Sequence, residues 1–119
     1  MWFSLLKSKI HRATVTGASL DYEGSLTISS DLAERVHLLP YERILISNMN
    51  NGNRFETYVI YGLPGKGCIE LNGATARLGE IGDRLTIMSF AQFEKDEASR
   101  HKPAVILVDE RNQIVRASY

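Results

Sequence analysis

Residues 43–61 carry the feature that most limits what this chain can fold into. Arg43 to Met49 and Arg54 to Tyr61 are two β-branched, alternating runs joined by Asn50-Asn51-Gly52-Asn53. A period of two is the period of a strand. Asn-Gly favours a tight primed turn, because both residues tolerate positive φ. The segment therefore predicts a β-hairpin, and the rest of the chain has to pair with it.

The same period recurs on both sides. Ile10, Arg12, Thr14 and Thr16 alternate with His11, Ala13 and Val15, so residues 9–16 read as a strand. Leu26-Thr27-Ile28, Cys68 to Leu71, Arg84 to Phe90, Ala104 to Val108 and Ile114-Val115-Arg116 are further short strands. Turns fall at Gly62 to Gly67, Asn72-Gly73, Gly82-Asp83 and Asn112. Residues 31–38 predict a helix, with Asp31 and Glu34 as a capping box and Leu32, Val36 and Leu39 on its apolar face. A short polar helix is expected over 93–100. Many short strands with one or two small helices indicate a closed barrel or a sandwich; periodicity alone does not choose between them.

Composition narrows the function classes. With 119 residues the chain suits one domain, residues 1–119, and any cofactor should be small or built in. Fourteen basic and fourteen acidic residues cancel, which leaves no broad positive field for nucleic acid or an anionic membrane. No apolar run reaches the roughly 18 residues of a membrane span. The apolar start meets Lys7, Lys9 and Arg12 after its apolar stretch, the wrong order for a signal peptide, so a cytoplasmic location is expected. Cys68 is the only cysteine, and His11, His37 and His101 show no ligand spacing; no metal is expected.

Taken one at a time, the polar motifs are bland. Gly24-Ser25 is an ordinary turn dipeptide, Lys9 an ordinary strand lysine, and Arg54-Phe55-Glu56-Thr57-Tyr58 ordinary strand surface plus core. Asn72-Gly73-Ala74-Thr75-Ala76 could be only a turn into a helical start. Their order and spacing are not bland. Lys9-Ile10-His11-Arg12-Ala13-Thr14-Val15-Thr16, Tyr22-Glu23-Gly24-Ser25, Asn51-Gly52-Asn53-Arg54-Phe55-Glu56-Thr57-Tyr58 and Asn72-Gly73-Ala74-Thr75-Ala76-Arg77 occur in that sequence. Together they resemble the pyruvoyl-dependent aspartate 1-decarboxylase family over about two thirds of the chain. The last thirty residues carry little of the likeness. Ser8 and Thr75 stand where the family pattern has the smaller Gly and Ala, and Trp2-Phe3 lacks an Arg expected near the start.

The resemblance implies a six-stranded double-psi β-barrel, assembled as a homotetramer, that makes β-alanine from L-aspartate for pantothenate and coenzyme A. It implies cleavage between Gly24 and Ser25 into chains 1–24 and 25–119, with Ser25 converted to a covalent pyruvoyl group. Neither pyridoxal phosphate nor a metal is then needed. Cleavage proceeds either unaided or with a helper protein; both routes fit. The chemistry is coherent. Decarboxylation leaves an electron pair on Cα, and a ketone condensed with the substrate amine accepts it. No ordinary side chain is a ketone, but a serine can become one if its hydroxyl attacks the preceding carbonyl carbon. Glycine before that serine permits strained backbone and unhindered attack.

By the same resemblance Thr57 donates to the Gly24 carbonyl oxygen, Tyr58 returns the proton to Cα, and Asn72 with Gly73, Ala74, Thr75 and Ala76 borders the substrate. His11 and Tyr22 orient groups during maturation. Lys9 and Arg54 are the cations that match the motifs, and Arg54 suits a two-point grip on the retained carboxylate. Strong pairing to the departing carboxylate would stabilise the ground state instead. Thr57 and Tyr58 point to opposite faces of an ideal strand, so a twist, a bulge or a subunit interface is expected there. A site shared between subunits follows, with one chain's pyruvoyl facing a neighbour's Lys9, Arg54 and Tyr58. Two rivals remain: a maturation-defective barrel that only binds a small molecule or partner, and a β-rich DNA-binding module, which neutral charge disfavours.

Overall fold

A computed structural model describes residues 1–118. Its strands form one hydrogen-bonded order, β2-β6-β3-β5-β4-β7-β1-β8-β9. In chain order these are β1 (Trp2–Thr14), β2 (Gly17–Ser19), β3 (Ser25–Ser29), β4 (Arg43–Asn48), β5 (Arg54–Gly62), β6 (Ile69–Asn72), β7 (Arg84–Glu94), β8 (Ala104–Val108) and β9 (Ile114–Ser118). Two short helices, α1 (Ser30–Arg35) and α2 (Lys95–Arg100), and a 3-10 turn at Gly73–Arg77 complete the fold. The fold is thus mainly β. Parallel pairs β1–β8, β2–β6 and β3–β5 are set among antiparallel ones, consistent with the double-psi arrangement.

The alternation read from the sequence decides which side chains meet. Ile10, Ile46 and Ile87 are cross-strand neighbours on β1, β4 and β7, and all three are fully buried. Leu26, Val59 and Leu71 do the same on β3, β5 and β6. Burial of such side chains contributes about 1.5–3 kcal/mol each, so Ile87→Ala would cost roughly 2–5 kcal/mol. Asn112 fastens the last hairpin to this core. Its amide nitrogen donates to the Thr14 and Gly67 carbonyls, and its amide oxygen accepts from the Thr14 N–H.

Several local expectations give way to tertiary context. β1 begins at Trp2 rather than residue 9, because the apolar start pairs with the end of β7, Trp2 opposite Glu94. The Asn-Gly turn is not a primed turn: Gly52 has positive φ (+80°), but Asn51 does not. Instead the Asn48 side chain accepts from the Asn50 N–H, and its carbonyl accepts from Gly52. The helix predicted over 31–38 stops at Arg35, and its cap position is Ser29, with no side-chain cap bond. Asp31 accepts from the Ser29 hydroxyl and the Gly65 N–H instead of capping. After that early stop Leu38 is buried, while Leu39, expected on the apolar face, is 65% exposed. A capping box forms on α2, between Glu94 and Glu97.

Candidate active site

Two successive residues at the head of β3 have positive φ, Gly24 at +111° and Ser25 at +128°. Glycine adopts this without penalty, but a serine there is strained by about 1–3 kcal/mol. The surroundings hold it in place. Ser25 is fully buried and pairs across the sheet with Asn72 on β6. The Asn72 amide nitrogen lies 2.8 Å from the Ser25 hydroxyl oxygen and 2.8 Å from that of Thr27. The Thr75 hydroxyl donates toward the Asn72 carbonyl at 2.8 Å and lies 3.3 Å from the Ser25 carbonyl. Thr75 therefore sets its hydroxyl against the strained residue, where the sequence pattern suggested a smaller side chain.

Gly73 makes this packing feasible. Its φ is +69°, and a Cβ there would sit 2.6 Å from the Gly24 nitrogen and 2.7 Å from the Tyr22 carbonyl oxygen. Only a residue without a side chain lets the 3-10 turn press against the strained segment. Ala74 is exposed and Ala76 packs on the core, so neither side chain touches Ser25 by a polar bond.

The Tyr58 hydroxyl donates to the Gly24 carbonyl oxygen at 3.2 Å. Thr57, expected in that role, faces Ile44 of β4, and among the described residues the donor at this carbonyl is Tyr58. The register explains it. Parallel pairing of Leu26 with Val59 sets Ser25 level with Tyr58. The pairings of β5 run without a register shift, so of the twist, bulge or subunit interface expected there the bulge is not the device. Within the single uncleaved chain Tyr58 reaches the Gly24 carbonyl of its own chain.

This arrangement polarises one peptide bond. A donor on the Gly24 oxygen stabilises the negative charge that develops when its carbonyl carbon is attacked. The Asn72 N–H pointed at the Ser25 oxygen stabilises that oxygen as its proton leaves. Backbone strain at Ser25 is relieved if the bond beside it breaks.

The cations lie elsewhere. Arg54 is four residues before Tyr58, roughly 13 Å along the strand. It is exposed, and it donates to the Ser47 hydroxyl at 2.7 Å. Lys9 sits on β1, four strand spacings from β3, roughly 19 Å along the sheet. It lines a small cavity with His11. A polar row links the two regions: Arg54 faces Ser47, Ser47 faces Thr86, and the Thr86 hydroxyl is 3.4 Å from the His11 ring. A bulge between Ile10 and Ala13, with Arg12 at φ +66°, keeps His11 on this face while Ala13 turns inward. Burial, then the charges of Lys9, Arg12, Arg116 and Arg84, hold the His11 pKa below its ordinary 6.5. One chain therefore brings together Gly24, Ser25, Tyr58, Asn72, Gly73 and Thr75, but leaves Lys9, His11 and Arg54 at a distance from Ser25.

Tyr22 is exposed and, with Thr27, Tyr61, Cys68 and Glu70, lines a cavity of about 540 Å³ beside the strained segment. Burial and the Glu70 charge raise the Cys68 thiol pKa, so it is held in its neutral form. Thr27 and Ser47 were not singled out from the sequence. Thr27 was legible in principle, two residues from Ser25 on the same strand face; Ser47 required the hairpin register. Among the described residues no helix is long and apolar enough to cross a membrane, and no three His, Cys, Asp or Glu side chains cluster to hold a metal.

Comparison with known proteins shows which family the chain is similar to. The family model described as aspartate decarboxylase matches residues 1–115. An aspartate 1-decarboxylase of Lactiplantibacillus plantarum is 53% identical over 98% of this chain and 89% of its own length. One of Chloroherpeton thalassium is 52% identical over 95% and 83% of the respective lengths. One of Desulfotalea psychrophila is 51% identical over 96% of both.

Proposed function

Since the chain belongs to the aspartate decarboxylase family, we propose that it cuts its own Gly24–Ser25 bond and then decarboxylates L-aspartate to β-alanine and carbon dioxide. The observation that carries this reading is the strained, fully buried Ser25 with a donor on each side of the bond to be broken: Tyr58 on the Gly24 oxygen and Asn72 on the serine oxygen.

In the proposed maturation the Ser25 oxygen attacks the Gly24 carbonyl carbon. The C–N bond breaks, the nitrogen takes up a proton, and an ester joins the two residues. Loss of the Ser25 α-proton then breaks the bond from Cβ to the ester oxygen. Residues 1–24 are left with a terminal carboxylate, and a dehydroalanine remains at position 25. Water hydrolyses it, releasing ammonia and leaving a pyruvoyl group. That group supplies a ketone able to take up the electron pair left by carbon dioxide.

The chain's own residues do the rest. Arg54 and Lys9 hold the retained carboxylate of aspartate, Arg54 by two parallel hydrogen bonds. The departing carboxylate stays unpaired, so that its loss is not opposed. Tyr58, released from the Gly24 carbonyl when the Gly24–Ser25 bond is cut, is free to deliver a proton to Cα, while Lys9 stays in place on β1, which remains paired with β7 and β8. The distance between the Ser25 and Arg54 regions supports a site completed by a second copy, in a homotetramer. Supply of β-alanine for pantothenate and coenzyme A, in the cytoplasm, is the role that fits this product.

Intact-mass spectrometry tests the reading. Purified protein should give one fragment ending at Gly24 and one beginning at a modified residue 25, and Ser25→Ala should stay whole. Full-length mass after prolonged warming, with cell extract supplied as a source of any helper, would favour a barrel that binds without catalysis.

A further inference from the structure

Lys9 does not stand alone. It lines a cavity of about 160 Å³ with His11, Val105, Leu107, Arg116 and Ser118. Arg116 comes from β9, outside the stretch that carries the family motifs. Strand pairing brings it there: His11 faces Leu107 on β8, and Leu107 faces Arg116. Directly opposed residues share a sheet face, so Arg116 lies in line with His11, and Lys9 is two residues along β1 on the same face.

No acidic side chain among the described residues forms an ion pair with the charges on this face. Among the described residues the ion pairs are Lys7 with Glu42, Arg43 with Glu56 and Arg84 with Glu110. Lys9 and Arg116 take part in none of them. Two cations around a cavity walled by Val105 and Leu107 repel one another, and the apolar walls strengthen the attraction of any anion that enters. The cavity is smaller than the roughly 300 Å³ at which ordinary ligand pockets begin. It suits a carboxylate, not a nucleotide or a peptide.

We infer that Arg116 is a substrate-binding residue: with Lys9 it draws in and holds the dicarboxylate, so that the last strand of the chain sets the affinity for substrate. The inference rests on the reading that the Lys9 and Arg54 face receives the substrate. Arg116 makes no bond near Ser25, so it should leave cleavage alone and act on KM.

The test uses succinate, a dicarboxylate with no amine, titrated into the uncleaved Ser25→Ala protein with the His11 ring signal followed by NMR. Adding Arg116→Gln should weaken binding severalfold, and Arg116→Lys should recover most of it. In the cleavable protein, Arg116→Gln should mature normally and raise KM for aspartate roughly three- to tenfold, with kcat changed less than about twofold. Unchanged KM in Arg116→Gln overturns the inference, whether or not succinate binds the uncleaved protein. If Lys9→Gln and Arg54→Gln weaken binding and Arg116→Gln does not, only the role of Arg116 falls. If none of the three alters KM, the substrate face itself is misassigned and the inference falls with it.

Discussion

Asn72 faces Ser25 across the β3–β6 pair, and its amide nitrogen donates to the serine oxygen at 2.8 Å. The same nitrogen donates to Thr27, so one side chain satisfies two hydroxyls. Asn72→Ala leaves the buried Ser25 hydroxyl and the half-buried Thr27 hydroxyl without this donor, at a cost of about 1–3 kcal/mol. Cleavage should slow by roughly one to two orders of magnitude. Time-resolved intact mass of freshly purified protein measures it; cleavage at the parent rate would remove Asn72 from the mechanism.

Gly73→Ala should be worse for folding than for chemistry alone. The new Cβ would lie 2.6 Å from the Gly24 nitrogen, at a φ of +69° that alanine resists. Displacement of the turn or of the Tyr22–Gly24 segment should cost about 1–3 kcal/mol. The melting temperature should drop, and the protein that does fold should cleave poorly. Normal stability with normal cleavage would contradict the packing described above.

Tyr58→Phe removes the donor on the Gly24 oxygen. The resemblance gave Tyr58 only the later proton transfer to Cα. The geometry predicts a maturation defect as well, roughly ten- to hundredfold in rate, followed by poor β-alanine release from the cleaved protein. The two defects separate in one experiment, by following fragment mass and then β-alanine after cleavage is complete. Parent-like maturation would confine Tyr58 to the later step.

Separation of Ser25 from Lys9 and Arg54 predicts complementation between inactive parents. Ser25→Ala chains lack the reactive residue, and Arg54→Ala chains lack the carboxylate grip. Co-expression should restore part of the aspartate turnover, because some mixed interfaces hold one intact copy of each. Mixed assemblies, shown to form, that contain cleaved Arg54→Ala chains and have no activity would exclude a shared site.

His11 predicts the pH response of the cation face. Its folded pKa is lowered, first by burial and then by Lys9, Arg12, Arg116 and Arg84. The unfolded chain therefore binds this proton more tightly. The stability contributed is fully present above the unfolded value of about 6.5, and it is lost as pH falls through the folded midpoint. An NMR titration should place the His11 midpoint below 6.5, and Arg116→Gln should move it upward. A parent midpoint at or above 6.5 would contradict the placement of these charges.

The strands were legible in the sequence because alternation is local. Residues 104–108 and the 43–61 hairpin sit where the pattern put them. Their inward residues follow from the same period. The motif order was equally legible, and it led to the family. Local rules failed where a distant partner intervened. The start of β1 became a strand because β7 runs past it, and α1 ended early, burying Leu38 in place of Leu39. The turn at Gly52 took its shape from Asn48 rather than from an Asn-Gly rule.

The chain's letters alone therefore determined the residue types available for chemistry: a serine after a glycine, a tyrosine, an asparagine before a glycine, and two motif cations. The tertiary structure decided which of them meet. The parallel register of β3 against β5 put Tyr58, not Thr57, on the Gly24 carbonyl. The pairing of β8 with β1 and β9 carried Arg116 to the Lys9 cavity from more than a hundred residues away. The reason is physical. Periodicity fixes the face on which a side chain lies, but contact across strands depends on register, and register is set by hydrogen bonds between segments far apart in sequence.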